Sequence, residues 1–459
     1  MPEAPEQQGH EGHGHGLPAG PSADRLLGGS RSSRRRVTVA LTAILAPLTV
    51  LLIGAMFVLW PSGSYQELSL DNPYGTAEGF SMVNSTVTDT LPRDCTGQTG
   101  VLDTSQGTTT QMPDGTELSC IYAVVDVDDS ADLPADSHEQ AYVEIPPDIT
   151  ASMDVEPGDR LRVIILNGLS EIDGYEEAVF VDFQRTVPVA LLAGLYALVV
   201  LAVARWRGLR SIIGLVLSFG VIFGFMIPAL LEGGPPLWVG LVGCCLIMVV
   251  VLYFAHGFSL RTTTALLGTL LGLGLTALLA LWGTEAAYLV GLGEEYSYIL
   301  ASVVPEVRLS GIVLCGLLIA GLGVLNDVTI TQSSAVWELQ AANPRTSSRE
   351  LFAAGMRIGR DHIASTVYTI AFAYAGAAMP ALMVISLYDR SLLETLTSGE
   401  MVEEVVRILI GSIGLVLAIP ITTGIAVVVA KAVAQDDAHP VPSPDDDIQA
   451  PRPSGPSRS

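Results

Sequence analysis

Eight stretches of this chain are long and apolar enough, or nearly so, to cross a bilayer: residues 37–60, 187–204, 211–231, 236–255, 263–282, 309–325, 362–388 and 405–430. A helix rises 1.5 Å per residue and the hydrocarbon core is about 30 Å thick, so a crossing takes about 20 apolar residues. Within lipid the backbone must satisfy its own hydrogen bonds, which makes such runs helices. The sixth run has 17 residues, which leaves room for unwinding or for polar neighbours. The first follows Arg31, Arg34, Arg35 and Arg36 in the layout of a signal peptide. Its apolar part is too long for one and no small-residue cleavage site follows, so it reads as an uncleaved signal-anchor.

Charge is segregated from these runs. The formal net charge is −24 although the mean hydropathy is +0.48, and only 15% of residues are charged. Soluble proteins carry about 25%. Residues 61–186 hold 24 acidic and 4 basic side chains, so they carry −20 of the total. That distribution argues against a soluble enzyme or an acidic disordered protein, and against nucleic acid as a partner, since phosphate binding needs a basic face. Lys431 is the one lysine, and no Gly-rich loop precedes it, so there is no Walker A site.

The basic residues give an orientation. With the N-terminus cytoplasmic and eight alternating spans, 16 lie inside and 7 outside, as the positive-inside rule requires. The inside groups include Arg205, Arg207 and Arg210 in one loop and Arg345, Arg349, Arg357 and Arg360 in another. Losing one span would strand one of these clusters outside. Both termini are therefore expected in the cytoplasm and residues 61–186 outside the bacterial cell membrane.

Within 61–186, the β-branched runs 121–127, 141–145, 161–166 and 178–183 are separated by Pro, Gly and Asp clusters. This is the pattern of a small antiparallel β-barrel or sandwich. Cys95 and Cys120 lie on the oxidising side, where either a disulfide or two free thiols is open. The acidic stretch from Asp128 to Glu139 places Leu133 where a calcium loop needs glycine, so a solvated loop is expected. His10, His13 and His15 sit in a Gly/Pro-rich tail. No cofactor and no metal centre is expected.

The most unusual residues follow the sixth run. Gly321 to Leu325 lead into Asn326 and Asp327, after which Thr329, Gln332 and Ser333 share one helical face. Polar side chains cost free energy in lipid unless they pair or line a wet cavity. Ser347 and Glu350 have capping-box spacing and begin a helix that carries Arg357, Arg360, Asp361 and His362 into the seventh run. Asp327 is thus either a proton or cation site, with Asn326, Thr329 and His362 as neighbours, or a helix cap paired with an arginine. Gly220/Gly224 and Gly268/Gly272 permit close helix contact, and Pro228, Pro380 and Pro420 interrupt helices.

The segment 321–339, the run from Val179 to Arg185 before the second span, and the layout of one span, an external domain and seven spans resemble the YibE/F-like family of bacterial membrane proteins. The resemblance covers about 37–431, and the family motif corresponds to Gly323, Asp327, Ser333, Ser334 and Glu338. It implies architecture and no defined activity. A weaker likeness links the Gly-rich span ending in Asn-Asp to SecD/SecF and resistance–nodulation–division permeases, which have one plus five spans.

The expected architecture is a polytopic α-helical membrane protein. It comprises a disordered tail (1–36), the signal-anchor (37–60), an external all-β domain (61–186), seven helices (187–431) and a second tail (432–459). The expected function is a secondary transporter or permease-like protein with an ion or small solute as its partner beside the lipid bilayer. The alternative is a non-transporting envelope protein whose β-domain binds an envelope partner or senses the surface. An enzyme is not expected, because HExxH, GxSxG and paired intramembrane aspartates are all missing. Oligomeric state does not follow from the sequence.

Overall fold

The computed structural model describes residues 31–64, 81–94, 119–128, 140–150, 152–165, 171–172, 175–292, 295–388 and 391–434. The chain divides into two compact units, Ser69–Val203 on one hand and Met1–Leu68 with Ala204–Ser459 on the other.

The first unit contains a β-barrel. Strands β1 (Ser81–Asp94), β2 (Ser119–Val127), β3 (Gln140–Ile145), β4 (Arg160–Ile165), β5 (Glu171–Ile172) and β6 (Tyr175–Phe183) follow the order β3-β2-β1-β4-β6-β5. A parallel pairing of β3 with β6 closes five of them into a ring, while β5 only extends β6. Closure removes the free edges that an open sheet would expose. Side chains alternate in and out with period two, so Ala123, Val125 and Val127, then Ala141, Val143 and Ile145, then Leu161, Val163 and Ile165 all point to one core. Register shifts at Val87/Asp89 and Arg162/Val163 supply the extra curvature a small ring needs. The four expected strands are present, and closure makes the fold a barrel rather than a sandwich. Cys95, residues 129–139 of the acidic stretch, and 1–30 and 435–459 of the tails lie outside the described residues, whereas 31–36 and 432–434, expected in the tails, are helical.

The second unit is helical. Among the described residues six helices are long and apolar enough to cross a membrane, or seven if one bent pair counts as a single span. We label them α1 (Arg31–Val58), α2 (Thr186–Leu231), α3 (Pro236–His256), α4 (Leu260–Ala286), α5 (Leu309–Ala342), the bent pair α6 (Ser348–Ala377) and α7 (Met379–Ser386), and α8 (Gly399–Ala434). The C-terminal part of α2 belongs to this unit and its N-terminal part to the other.

Two expectations change. Residues 187–204 and 211–231 form two helices that meet directly at a kink within a stretch of 46 residues, where a loop was expected between them. The kink is at Arg205, whose backbone (φ 52, ψ −130) leaves helical geometry. Nor does the helix end with the apolar run 309–325, since α5 spans 34 residues from Leu309 to Ala342. The prolines divide in behaviour. Pro380 opens α7 after a 67° bend and Pro228 follows a π-helical turn over Ile222–Met226, whereas α8 runs through Pro420 without a break.

Helices α4, α5 and α8 form the centre of this unit and contact one another most extensively. Their approach depends on missing side chains. A Cβ at Gly268 would collide with Thr422 of α8, and one at Gly272 would come within 3.0 Å of Ala418. At the other small-residue pair, Gly220 and Gly224, an added Cβ would meet nothing within 4 Å.

Candidate functional site

The expected polar group on α5 separates into a buried seam and an open face. The seam comes from the helical period: Thr329, Gln332, Ser333 and Val336 turn inward together. Thr329 is fully buried, and its hydroxyl lies 2.6 Å from that of Thr269 on α4. Each hydroxyl also has a carbonyl of its own helix to donate to, that of Ala265 for Thr269 (3.0 Å) and that of Asn326 for Thr329 (3.3 Å), so either one can be the donor across the pair. Gln332, 1% exposed, donates through Nε2 to the carbonyl of Gly355 on α6 (2.8 Å) and to Thr423 Oγ1 on α8 (2.7 Å). Thr423 in turn donates to the carbonyl of Ile419 (2.7 Å). Ser333 Oγ donates to the carbonyl of Arg261 at the start of α4 (2.9 Å).

A single helix face thus fastens α5 to three neighbours. Helix α6 comes close enough because Gly355 and Gly359 face α5 and α8. A Cβ at Gly359 would stand 2.6 Å from Ile419 Cγ2 and 3.2 Å from Gln332 Oε1. The expected capping box is present, with Ser347 accepting from Glu350 N while the Glu350 carboxylate accepts from Ser347 N (3.0 Å).

Asp327 stands apart from this seam. Its side chain is exposed, and among the described residues no hydrogen bond or ion pair joins it to Arg357, Arg360, His362 or any other group. Only its backbone carbonyl is engaged, accepting from Thr331 (2.7 Å). Gly316, Ala320, Gly323, Asp327, Ser334 and Glu338 follow one another at helical spacing along this side of α5. Cβ atoms at Gly316 and Gly323 would meet nothing within 4 Å, so the side is open for several turns. Beside it, Asn326 is half-buried with Oδ1 lacking a hydrogen-bond partner. His362, half-buried on α6, has no hydrogen bond among the described residues. Of the six expected residues, Thr329, Gln332 and Ser333 therefore belong to helix contacts, while Asn326, Asp327 and His362 retain free polar atoms.

Sequence reasoning missed the partners Thr269, Thr423 and Gly355. The signals were present: a Gly355/Gly359 pair at the spacing of close helix contacts, and threonines inside otherwise apolar runs. Among the described residues, no cluster of three or more His, Cys, Asp or Glu side chains suited to a metal ion occurs.

No curated protein and no solved structure matches the chain. The YibE/F-like protein family matches residues 192–432, which take in α3 to α8, both the seam and the open face, and more than half of the sequence. The chain is a multi-pass membrane protein that belongs to the YibE/F-like protein family.

Proposed function

We propose that this protein is a secondary, permease-like transporter of the cell membrane in which Asp327 binds the coupling proton or cation. One observation carries the reading: a carboxylate stands on the open side of α5 without a partner among the described residues, just beyond the apolar run 309–325. An ionisable side chain in a span is costly, by about 2.5–3.5 kcal/mol at the centre, and is kept where it meets water, an ion or a partner. Asp327 is 18 residues beyond Leu309, about 27 Å along the helix, which puts it close to one edge of a core about 30 Å thick. Next to it in sequence Asn326 keeps a buried, unpaired Oδ1, and α6 packs against Val328 of α5 through Ile363, the residue after His362.

The topology belonging to this reading has eight crossings. The helical stretch Thr186–Leu231 would be about 69 Å long as a straight helix, more than two crossings' worth, and its break at Arg205 sits among Arg205, Arg207 and Arg210. Counting it as two spans restores the 16-to-7 distribution of basic residues, with both termini and the Arg-rich loops inside and the barrel outside. A reporter cysteine replacing Arg207, in a chain whose own cysteines are changed to serine, should react with a membrane-impermeant maleimide only after the membrane is opened.

Transport is tested by reconstituting the protein into liposomes and following proton and sodium movement under imposed gradients. The wild type should carry a flux that Asp327→Asn removes. If the wild type carries none under any gradient, the transporter reading fails.

A second reading rests on the net charge of −20 on residues 61–186. An acidic barrel suits electrostatic docking of a basic envelope partner, with no transport required. A phenotype lost on deleting residues 65–180 and untouched by Asp327→Asn favours this alternative.

A further inference from the structure

A cavity of about 840 Å³ lies among α1, α3, α4 and α8, away from the seam and from Asp327. Its wall is apolar, with Leu41 and Leu52 contributed by α1, Leu267 by α4 and Val429 by α8. Two glycines keep it open. A Cβ at Gly274 would meet nothing within 4 Å, and one at Gly424 only the ring edge of Phe352 at 4.0 Å. Gly268, on the same helix as Gly274, differs because Thr422 occupies the space a side chain would take. Ile44, Leu271 and Val428 are exposed along the rim, so the cavity opens sideways, in the direction a membrane-embedded bundle presents to lipid.

One end of this groove is cationic. Leu41, Val429, Ala430 and Val433 are buried in one cluster, with Val37 and Leu260 against it, so the start of α1, the start of α4 and the end of α8 coincide. Arg34, Arg35 and Arg36 precede Val37, and Arg261 follows Leu260. Arg261 is half-buried, and its Nε is shut from solvent without a hydrogen-bond partner. Lys431 is also at this end, but its ammonium is taken up by the carbonyl of Thr346. At the far end of α1 the charge is negative: the Glu232 carboxylate accepts from the backbone of Ser62 (2.6 Å) and Gly63 (2.7 Å). The groove runs from Leu41 to Leu52, about 16 Å along α1, which is the depth of one leaflet of a core about 30 Å thick.

We infer that this groove binds an anionic phospholipid from the surrounding bilayer, its acyl chain along the Leu41–Leu52 wall and its phosphate at the cationic end beside Arg261. An apolar slot one leaflet deep takes a hydrocarbon chain. A cationic end selects among headgroups, as basic pockets between membrane helices do. Arg261, half-buried at this end, can hydrogen-bond a phosphate through the part of its guanidinium that remains open. The inference does not depend on transport and holds equally for a non-transporting protein.

The test uses the full chain in detergent, supplied with equal amounts of phosphatidylglycerol and phosphatidylcholine carrying the same acyl chains, and weighed by native mass spectrometry. The wild type should retain a phosphatidylglycerol adduct in preference to phosphatidylcholine by about tenfold or more. Gly274→Leu fills the groove from its open side and should lose the adduct while circular dichroism shows unchanged helicity. The variant Arg261→Gln should keep binding lipid but lose the headgroup preference. Equal retention of both lipids by the wild type overturns the proposal, as does a folded Gly274→Leu chain with an undiminished adduct. A lipid-free dimer covering the groove overturns it too. Should Gly274→Leu fail to fold, the arginine variant decides, and an unchanged preference there counts against the headgroup site.

Discussion

Gln332 on α5 and Thr423 on α8 meet at 2.7 Å inside the helical unit, and the same amide nitrogen reaches the carbonyl of Gly355 on α6 at 2.8 Å. Three helices therefore share one donor. Hydrogen bonds between membrane helices are worth about 0.6 kcal/mol on average and up to about 1.7. Replacing Gln332 by Leu should accordingly destabilise the folded state by about 1–2 kcal/mol, read as a lowered unfolding midpoint in detergent. Gly359→Leu should cost more, because its Cβ would already stand 2.6 Å from Ile419 and its remaining atoms would force α6 away. A Gln332→Leu protein as stable as the wild type would show that the amide is incidental to the contact.

A second contact allows a cleaner separation of cause. Gly414 of α8 lies against Thr276 of α4, and a Cβ at 414 would overlap the threonine hydroxyl while standing 3.4 Å from its Cβ. Gly414→Ala alone should destabilise. Thr276→Ala alone should cost little, since that hydroxyl donates only within its own helix, to the carbonyl of Gly272 (2.9 Å). The double variant should recover most of the loss, with a coupling energy of about 0.5–3 kcal/mol. Additive losses would place the Gly414 effect elsewhere.

Features set by local periodicity were legible in the sequence: the apolar helices, the alternating strands of the barrel core, and the Ser347/Glu350 capping box. Asp327 was legible as an anomaly because a charge in an apolar run violates a strong rule. What did not emerge was which helix each polar residue would face. Thr329 and Asp327 are two residues apart, yet one is fully buried against Thr269 and the other is exposed. That difference is decided by the rotation of α5 against α4, α6 and α8, set by contacts between residues distant in sequence. That the second and third apolar runs meet at a kink with no loop between them escaped for a related reason. Six residues without proline between two apolar runs do not reveal whether the helix ends or continues.

The barrel supplies a prediction independent of the helices. Leu161 is fully buried in the ring of β1, β4 and β6. Leu161→Ala removes three carbons from a closed core that has little freedom to collapse, and should cost about 2–5 kcal/mol. Since this core is separate from that of the helical unit, limited proteolysis should cut the variant within 81–183 and spare α3 to α8. Simultaneous loss of protection in both regions would mean that the two units unfold together.

Asp327 separates stability from function more sharply than any other position. Its carboxylate makes no hydrogen bond or ion pair among the described residues, so Asp327→Asn removes no contact and should change the unfolding free energy by less than about 0.5 kcal/mol. Asp327→Leu, which places an apolar group on the open side of α5, should be neutral or slightly stabilising if that side meets lipid. A carboxylate serving only as a cap or as half of an ion pair would behave in the opposite way, with both substitutions destabilising. Comparing midpoints of the two variants with their proton and sodium flux in liposomes distinguishes the cases: unchanged midpoints with abolished flux identify an ion-binding carboxylate. Lowered midpoints with flux in proportion to folded protein identify a structural one.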